Sequence, residues 1–86
     1  MAEDNYIYVI GGRVKNTGES VSECARFDTE ENKRQNIASL NEARHSAFGV
    51  CKNEKIFIAG GWHSNGPRAE FLNTCEVYDI LADKWQ

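Results

Sequence analysis

The sequence predicts an all-β protein made of two copies of one four-stranded antiparallel sheet. Two observations support this prediction. The segment 7–12 (IYVIGG) returns 49 residues later as 56–61 (IFIAGG), and the segment 24–28 (CARFD) returns 51 residues later as 75–79 (CEVYD). Short runs of β-branched and aromatic residues bounded by turn residues are typical of strands. Blocks that recur with nearly constant spacing indicate a repeated structural unit.

The first copy, residues 1–40, contributes three predicted strands. Residues 5–10 form an apolar strand that ends at a Gly-Gly pair, which permits the positive φ of a tight turn. Residues 23–28 and 33–37 form the next two strands, and a polar turn joins them. The innermost strand of this copy would precede the first residue, so the first sheet is expected to lack it.

The second copy, residues 41–86, is expected to hold all four strands. The predicted strands are, in order, 43–51, 55–59, 74–79 and 84–86. The first is rich in small residues, which suits a strand near the axis of a ring. The alternative is a short helix over residues 41–48 with Asn41 as N-cap, although the apolar residues there lack a sustained helical period. Four-stranded sheets repeated at about 50 residues are typical of β-propeller blades.

Composition excludes several classes of protein. The chain has 86 residues, is 41% hydrophobic and 27% charged, and carries a formal net charge of −3. A nucleic-acid-binding domain normally shows a basic face. No apolar run approaches the ~20 residues of a membrane helix, and the acidic start does not resemble a signal peptide. We therefore expect a cytoplasmic protein, with nuclear and cytoskeletal locations as alternatives, and neither a nucleic-acid nor a membrane partner.

The residue types of metal, disulfide and catalytic sites are not arranged in recognisable motifs. The chain has three cysteines, Cys24, Cys51 and Cys75. An odd count without a Cys-x-x-Cys pair argues against a disulfide framework and a zinc site, so buried reduced thiols are expected. No nucleophile elbow, metalloprotease motif or phosphate-binding loop is found. We predict no enzymatic activity and no cofactor.

Taken together, these motifs resemble the kelch repeat. That repeat has an Arg opening the first strand, Gly-Gly closing the second, Tyr-Asp closing the third and a Trp about six residues later. The second copy matches with Arg44, Gly60, Gly61, Tyr78, Asp79 and Trp85. The first copy matches with Gly11, Gly12, Phe27 and Asp28, but has Arg34 in place of the Trp. The resemblance implies two blades of a propeller, in which these residues are structural.

Within the kelch family, residues 41–45 (NEARH) look most like the BTB-kelch adaptors. This resemblance implies a protein-interaction module that recognises substrates for a cullin-3 ubiquitin ligase, with the BTB domain outside this chain. The alternatives are a kelch protein that binds actin and a propeller enzyme similar to galactose oxidase. Because a kelch propeller needs about six blades, we expect a fragment of a longer chain. Several copies assembled into a ring are the alternative.

Partner-binding residues are expected in the loops 13–21 and 62–72, because a propeller binds through the loops that connect its strands. The candidates are Arg13, Arg44, Trp62, His63 and Arg68. Exposed Trp and Arg residues are enriched at protein interfaces. For Arg44 the resemblance implies contact with an acidic partner, and the alternative is a structural pair with a carboxylate or a backbone carbonyl. Trp62 could instead pack inward, and His63 has no second metal ligand at useful spacing.

Overall fold

The computed structural model describes residues 2, 3 and 5–86, with side chains from Asn5 onward, so Met1 and Asp4 of the predicted first copy lie outside the described residues. The strands are β1 (Ala2–Glu3), β2 (Tyr6–Arg13), β3 (Ser20–Asp28), β4 (Lys33–Ile37), β5 (Phe48–Lys52), β6 (Lys55–Ala59), β7 (Trp62–Ser64), β8 (Ala69–Phe71), β9 (Cys75–Asp79) and β10 (Lys84–Trp85). None of the described residues forms a helix that could span a membrane.

The strands form two four-stranded antiparallel sheets and one small hairpin. The first sheet has the order β1-β2-β3-β4, the second β10-β9-β6-β5, and β7 pairs with β8. The predicted all-β fold is therefore confirmed, and the alternative helix over residues 41–48 is not formed. In one detail the first sheet differs from the prediction. The two residues of β1 pair with β2 at the edge where no innermost strand was expected.

The innermost strand of the second sheet begins later than predicted, at Phe48 instead of residue 43. Backbone hydrogen bonds explain the difference. His45 and Trp62 each donate an N–H to the carbonyl of the other, at 2.9 Å. This pairing ties the preceding segment to the β7–β8 hairpin, and Arg44 and His45 therefore lie before the strand instead of opening it.

The two sheets pack face to face around a small aromatic and aliphatic core. Its centre is formed by Tyr8 of the first sheet and by Ile56, Ile58 and Tyr78 of the second. The Tyr8 and Tyr78 rings lie 6.4 Å apart in a tilted arrangement, which is within the range of favourable aromatic pairs. Side chains alternate across each strand, so each sheet turns only one face toward this core.

None of the three cysteines forms a disulfide bond, and only Cys24 is fully buried. Its thiol has a raised pKa because burial disfavours the thiolate. Cys51 is half-buried and Cys75 is exposed. The prediction of a buried thiol is wrong for Cys75, because that side of β9 faces away from the first sheet.

A second contact, which we call the latch, joins the second sheet to the segment that follows β4. The Trp85 Nε1–H donates to the Ala38 carbonyl, and the Ala38 N–H donates to Asp83 Oδ1, both at 2.8 Å. Asp83 Oδ1 also accepts the Tyr78 hydroxyl at 2.6 Å. Burial and this hydrogen bond raise the pKa of Tyr78. The bonds from Tyr78 and Ala38 hold the pKa of Asp83 below its ordinary value of 3.8.

The latch predicts a loss of stability in acid. A carboxyl whose pKa is lower in the folded state stabilises the fold fully above its unfolded pKa, and that contribution disappears as the pH falls through the folded pKa. Urea unfolding of wild type and Asp83→Asn, measured as the pH is lowered through about 4, should show a steeper loss of stability for wild type. Glu31→Gln, which alters an exposed carboxylate, is the control. Parallel curves for wild type and Asp83→Asn would contradict the role of Asp83.

Candidate functional site

The loops of the two sheets meet in one surface, which we call the loop face. It is formed by the β2–β3 connection and the β7–β8 hairpin. An isolated antiparallel β-bridge between Glu19 and Asn65 joins the two loops. Ser20 Oγ accepts the Ser64 N–H and shares a hydrogen bond with His45 Nδ1, both at 2.8 Å. A partner could therefore touch both copies of the repeat at once.

Two glycines allow this close approach of the loops. Gly18 has φ +75°, and a Cβ there would lie 3.3 Å from the Gly66 carbonyl and 3.4 Å from Arg13 Nη2. The contact with the Gly66 carbonyl is tight for a carbon atom, and the positive φ also favours glycine at this position. The guanidinium of Arg13 therefore lies beside Gly18, next to the junction of the two loops.

A groove of about 400 Å³ runs along the loop face. Its lining residues are Arg13, His45, Trp62, Ser64, Gly66, Pro67 and Ala69. The Trp62 ring packs against Phe71 with 5.4 Å between ring centroids. Trp62 remains 44% exposed and Phe71 63% exposed, so Trp62 does not pack wholly inward. The groove combines an aromatic side chain, which packs on a second ring beside the groove, with a nearby arginine, and both residue types are enriched at protein-binding surfaces.

The other loop candidates differ in solvent exposure. Arg13 and Arg68 are both exposed. His63 is half-buried, and its Nδ1 lies 2.8 Å from the Ala43 carbonyl. The imidazole therefore contacts residues 38–47 between β4 and β5, which we call the linking segment. Among the residues that the structure describes, no group of three or more His, Cys, Asp and Glu side chains is placed to hold a metal ion.

Arg44 lies beneath the surface. Its side chain is 1% exposed. Nη1 donates to the carbonyls of Gly60 and Thr74 at 3.0 and 3.1 Å, and Nη2 donates to Glu76 Oε2 at 3.1 Å and Glu42 Oε1 at 3.4 Å. The structure favours the alternative interpretation, a structural pair with carboxylates and backbone carbonyls, over contact with an acidic partner.

Glu76 completes this buried cluster. Its Oε1 accepts the Asn41 N–H at 2.7 Å and its Oε2 accepts the Glu42 N–H at 3.1 Å, in addition to the bond from Arg44. One carboxylate therefore fixes both the linking segment and the guanidinium. Glu76 was not among the predicted residues, although a charged side chain flanked by Cys75 and Val77 inside a predicted strand was a usable signal. Ser20 and Phe71 were also missed, and no local pattern distinguishes them.

The predicted aspartates occur at turns in both copies. The Gly-Gly pair follows the end of β6 in the second copy, but the prediction that it ends the strand is wrong in the first copy, where β2 continues to Arg13 after a register shift between Ile10 and Gly12. Asp28 Oδ1 accepts the backbone N–H groups of residues 30 and 31, and Asp79 Oδ1 accepts those of residues 81 and 82. All four glycines of the two pairs have positive φ. The aromatic residues that precede the aspartates differ, because Tyr78 is buried and Phe27 is partly exposed.

Sequence comparison relates nearly the whole chain to known proteins. The sequence model of the kelch motif matches residues 4–41 and 43–86. The chain is 31% identical over its full length to Kelch-like protein 40 of Xenopus laevis, covering 13% of that protein. It is 34% identical over 98% of its length to an F-box/kelch-repeat protein of Arabidopsis thaliana, covering 17%. It is 29% identical over 95% of its length to Kelch-like protein 26 of Danio rerio, covering 13%.

Proposed function

The chain belongs to the kelch-motif family, and from this premise we propose that it is the substrate-recognition part of an adaptor for a cullin-3 ubiquitin ligase. The more general function, that of a kelch-repeat module that binds other proteins, follows from the family match over residues 4–41 and 43–86. The chain spans only 13 to 17% of the length of the relatives described above. The adaptor role is therefore proposed for a longer protein that contains this chain.

The loop face supports the recognition role. Binding energy at protein interfaces is concentrated in a few Trp, Tyr and Arg side chains that lie in well-packed pockets. Trp62 and Arg13 line one groove here, and the contact with Phe71 restricts the motion of the Trp62 ring. Restricting a side chain before binding lowers the entropy lost when the partner docks. The groove with Trp62 at its wall is the observation that carries this proposal.

In the proposed adaptor, the binding sites for cullin-3 and for the substrate protein lie in different parts of the longer protein. A BTB domain outside this chain contacts cullin-3, and the loop face holds the protein to be ubiquitinated. The proposed location is the cytoplasm, and the proposal assigns the chain no catalytic step. Loss of the loop-face contact should then release the partner without releasing cullin-3.

Trp62→Ala in the longer protein should lower capture of the partner at least tenfold, because truncating a central interface residue costs about 2 kcal/mol or more. The measurement is quantitative mass spectrometry of proteins that co-purify from cells, together with the ubiquitination of the captured partner. Arg13→Ala should act in the same direction. Leu81→Ala, which shortens an exposed apolar side chain that does not line the groove, is the control.

Cullin-3 should co-purify equally with wild type and Trp62→Ala. A wild-type complex without cullin-3 would overturn the adaptor role but not the interaction module. Equal capture of all partners by wild type and Trp62→Ala would overturn the assignment of the groove. Direct co-sedimentation with filamentous actin, without cullin-3, would indicate a cytoskeletal kelch protein instead.

A further inference from the structure

The tip of the β7–β8 hairpin carries the dipeptide Asn65-Gly66. In the whole sequence, Asn65 is the asparagine that a glycine follows, whereas every other asparagine precedes a residue with a side chain. The side-chain carbonyl of an asparagine can react with the backbone nitrogen of the next residue, and a side chain on that residue hinders the approach. Glycine has no Cβ and hinders it least. The chemistry of the dipeptide therefore makes Asn65 the most reactive asparagine of the chain.

The structure leaves both reacting groups accessible. Asn65 is exposed and Gly66 is half-buried. Neither the Asn65 side chain nor the Gly66 N–H forms a hydrogen bond with any residue that the structure describes. The Asn65 N–H donates to the Arg68 carbonyl at 3.1 Å. This bond holds the hairpin tip in place without engaging either reacting group.

The conformation of the loop junction favours the residue that makes Asn65 reactive. Gly66 has φ +105°, which side chains of L-residues rarely permit. Its carbonyl oxygen lies 3.3 Å from the position that a Cβ on Gly18 would occupy. The hairpin therefore reaches the β2–β3 connection through a backbone conformation that suits glycine, and this glycine directly follows Asn65.

We propose that Asn65 is a site of spontaneous deamidation and that its modification loosens the junction of the two loops. The Gly66 nitrogen attacks the side-chain carbonyl carbon of Asn65, and the new C–N bond closes a five-membered succinimide. The side-chain nitrogen leaves as ammonia and takes up the Gly66 proton. Water then opens the ring. Cleavage of the new bond gives aspartate, and cleavage of the original peptide bond gives isoaspartate. In sum, one water is consumed and one ammonia is released, without oxidation or reduction.

Either product disturbs the contact between the loops. The bridge places Asn65 across from Glu19, so aspartate at position 65 sets one carboxylate against another. Like charges directly opposite each other in an antiparallel pair are destabilising. Isoaspartate adds a carbon to the main chain and shifts the pairing. Because the groove takes Arg13 from one loop and Trp62 from the other, a looser junction lets its two walls separate. This effect on partner binding rests on the proposed function, whereas the chemistry does not.

Peptide mapping by mass spectrometry tests the chemistry in the purified longer protein, incubated at neutral pH. The reference without a fold is a synthetic peptide of residues 61–69. Asn65 should convert no more than about tenfold more slowly in the protein than in the peptide, because an exposed hairpin tip needs little opening to react. Asn16, exposed in the facing connection but followed by Thr17, should stay unmodified. Slower conversion of Asn65, or equal conversion of Asn16, would overturn the site.

Hydrogen exchange measured by NMR tests the loosening, independently of any partner. The Ser64 N–H donates to Ser20 Oγ across the junction and should exchange faster after Asn65 is converted. The Gly60 N–H, bonded to the Thr74 carbonyl within the second copy, should exchange as before. Unchanged exchange at Ser64 after complete conversion would overturn the loosening.

Capture of the partner before and after the incubation tests the consequence for the groove. Wild type should lose at least half of its capture once Asn65 is converted. Asn65→Gln should keep its own initial capture, because glutamine can close only a six-membered ring, which forms far more slowly. If Trp62→Ala lowers capture but conversion of Asn65 does not, the effect on the groove is wrong and the proposed function stands. If Trp62→Ala leaves capture unchanged, the groove assignment fails, while the peptide map and the hydrogen exchange still decide the modification and the loosening.

Discussion

Arg44→Met is expected to remove most of the folding stability of the protein at 25 °C. The substitution removes a 1% exposed guanidinium that donates to two backbone carbonyls and to Glu76. Glu76, itself 5% exposed, then stays buried without its cation. Breaking one side of a buried ion pair costs about 3–5 kcal/mol. A small domain is stable by about 5 kcal/mol in total, so the loss takes most of the folding free energy.

Urea denaturation followed by far-UV circular dichroism measures this effect. Arg68→Met is the matched control, because it makes the same change at an exposed arginine, and it should alter stability by less than about 0.5 kcal/mol. Arg44→Lys should be intermediate, since an ammonium keeps the charge but cannot bond through two nitrogens in a planar fork. An Arg44→Met protein as stable as wild type would show that the buried cluster does not hold the fold together.

Gly61→Ala is expected to be the most damaging single-methyl addition in the second copy. Gly61 has φ +84°, and a Cβ there would lie 2.6 Å from the His45 carbonyl and 3.0 Å from the Ala47 backbone. Left-handed backbone costs an L-residue about 1–2 kcal/mol by itself. The clash adds to this cost, because the His45 carbonyl that the new methyl group would displace accepts the Trp62 N–H. We expect a total above about 3 kcal/mol.

The neighbouring glycine is the matched control. Gly60 also has positive φ, +69°, but the nearest atom to its Cβ, the Leu72 carbonyl oxygen, is at an ordinary distance of 3.6 Å. Gly60→Ala should therefore cost only the backbone term of about 1–2 kcal/mol. Thermal and urea unfolding of the two variants should separate them clearly. Equal destabilisation would mean that φ alone, and not the close approach of the linking segment, requires Gly61.

The local features of the fold could be predicted because short segments encode them. The alternation of apolar residues defines β2 and β6, the aspartates mark the turns, and the second glycine pair marks the end of β6. The sequence did not indicate which glycine of each pair is closely packed. Gly11 lies against the Arg44 carbonyl in the first copy, whereas Gly61 is the crowded one in the second. The difference arises because each contact is made by a segment distant along the chain.

The candidate site could be predicted only in part. Arg13 and Trp62 were singled out by residue type and loop position, and the structure brings both to one groove. Arg44 has the same residue type as Arg13 but is buried. Nothing near it in the sequence indicated that Glu76, 32 residues later, would reach it.

The sequence by itself determined the repeat, the strands and the turns, because hydrophobic alternation, β-branching and glycine act over a few residues. Only the tertiary structure decided which repeated positions are buried. Ile7 and Ile56 are the same residue at the same repeat position, yet the first is half exposed and the second fully buried. The physical reason is that burial depends on a neighbouring sheet. Ile56 has such a neighbour in the first sheet, and the face that carries Ile7 is open.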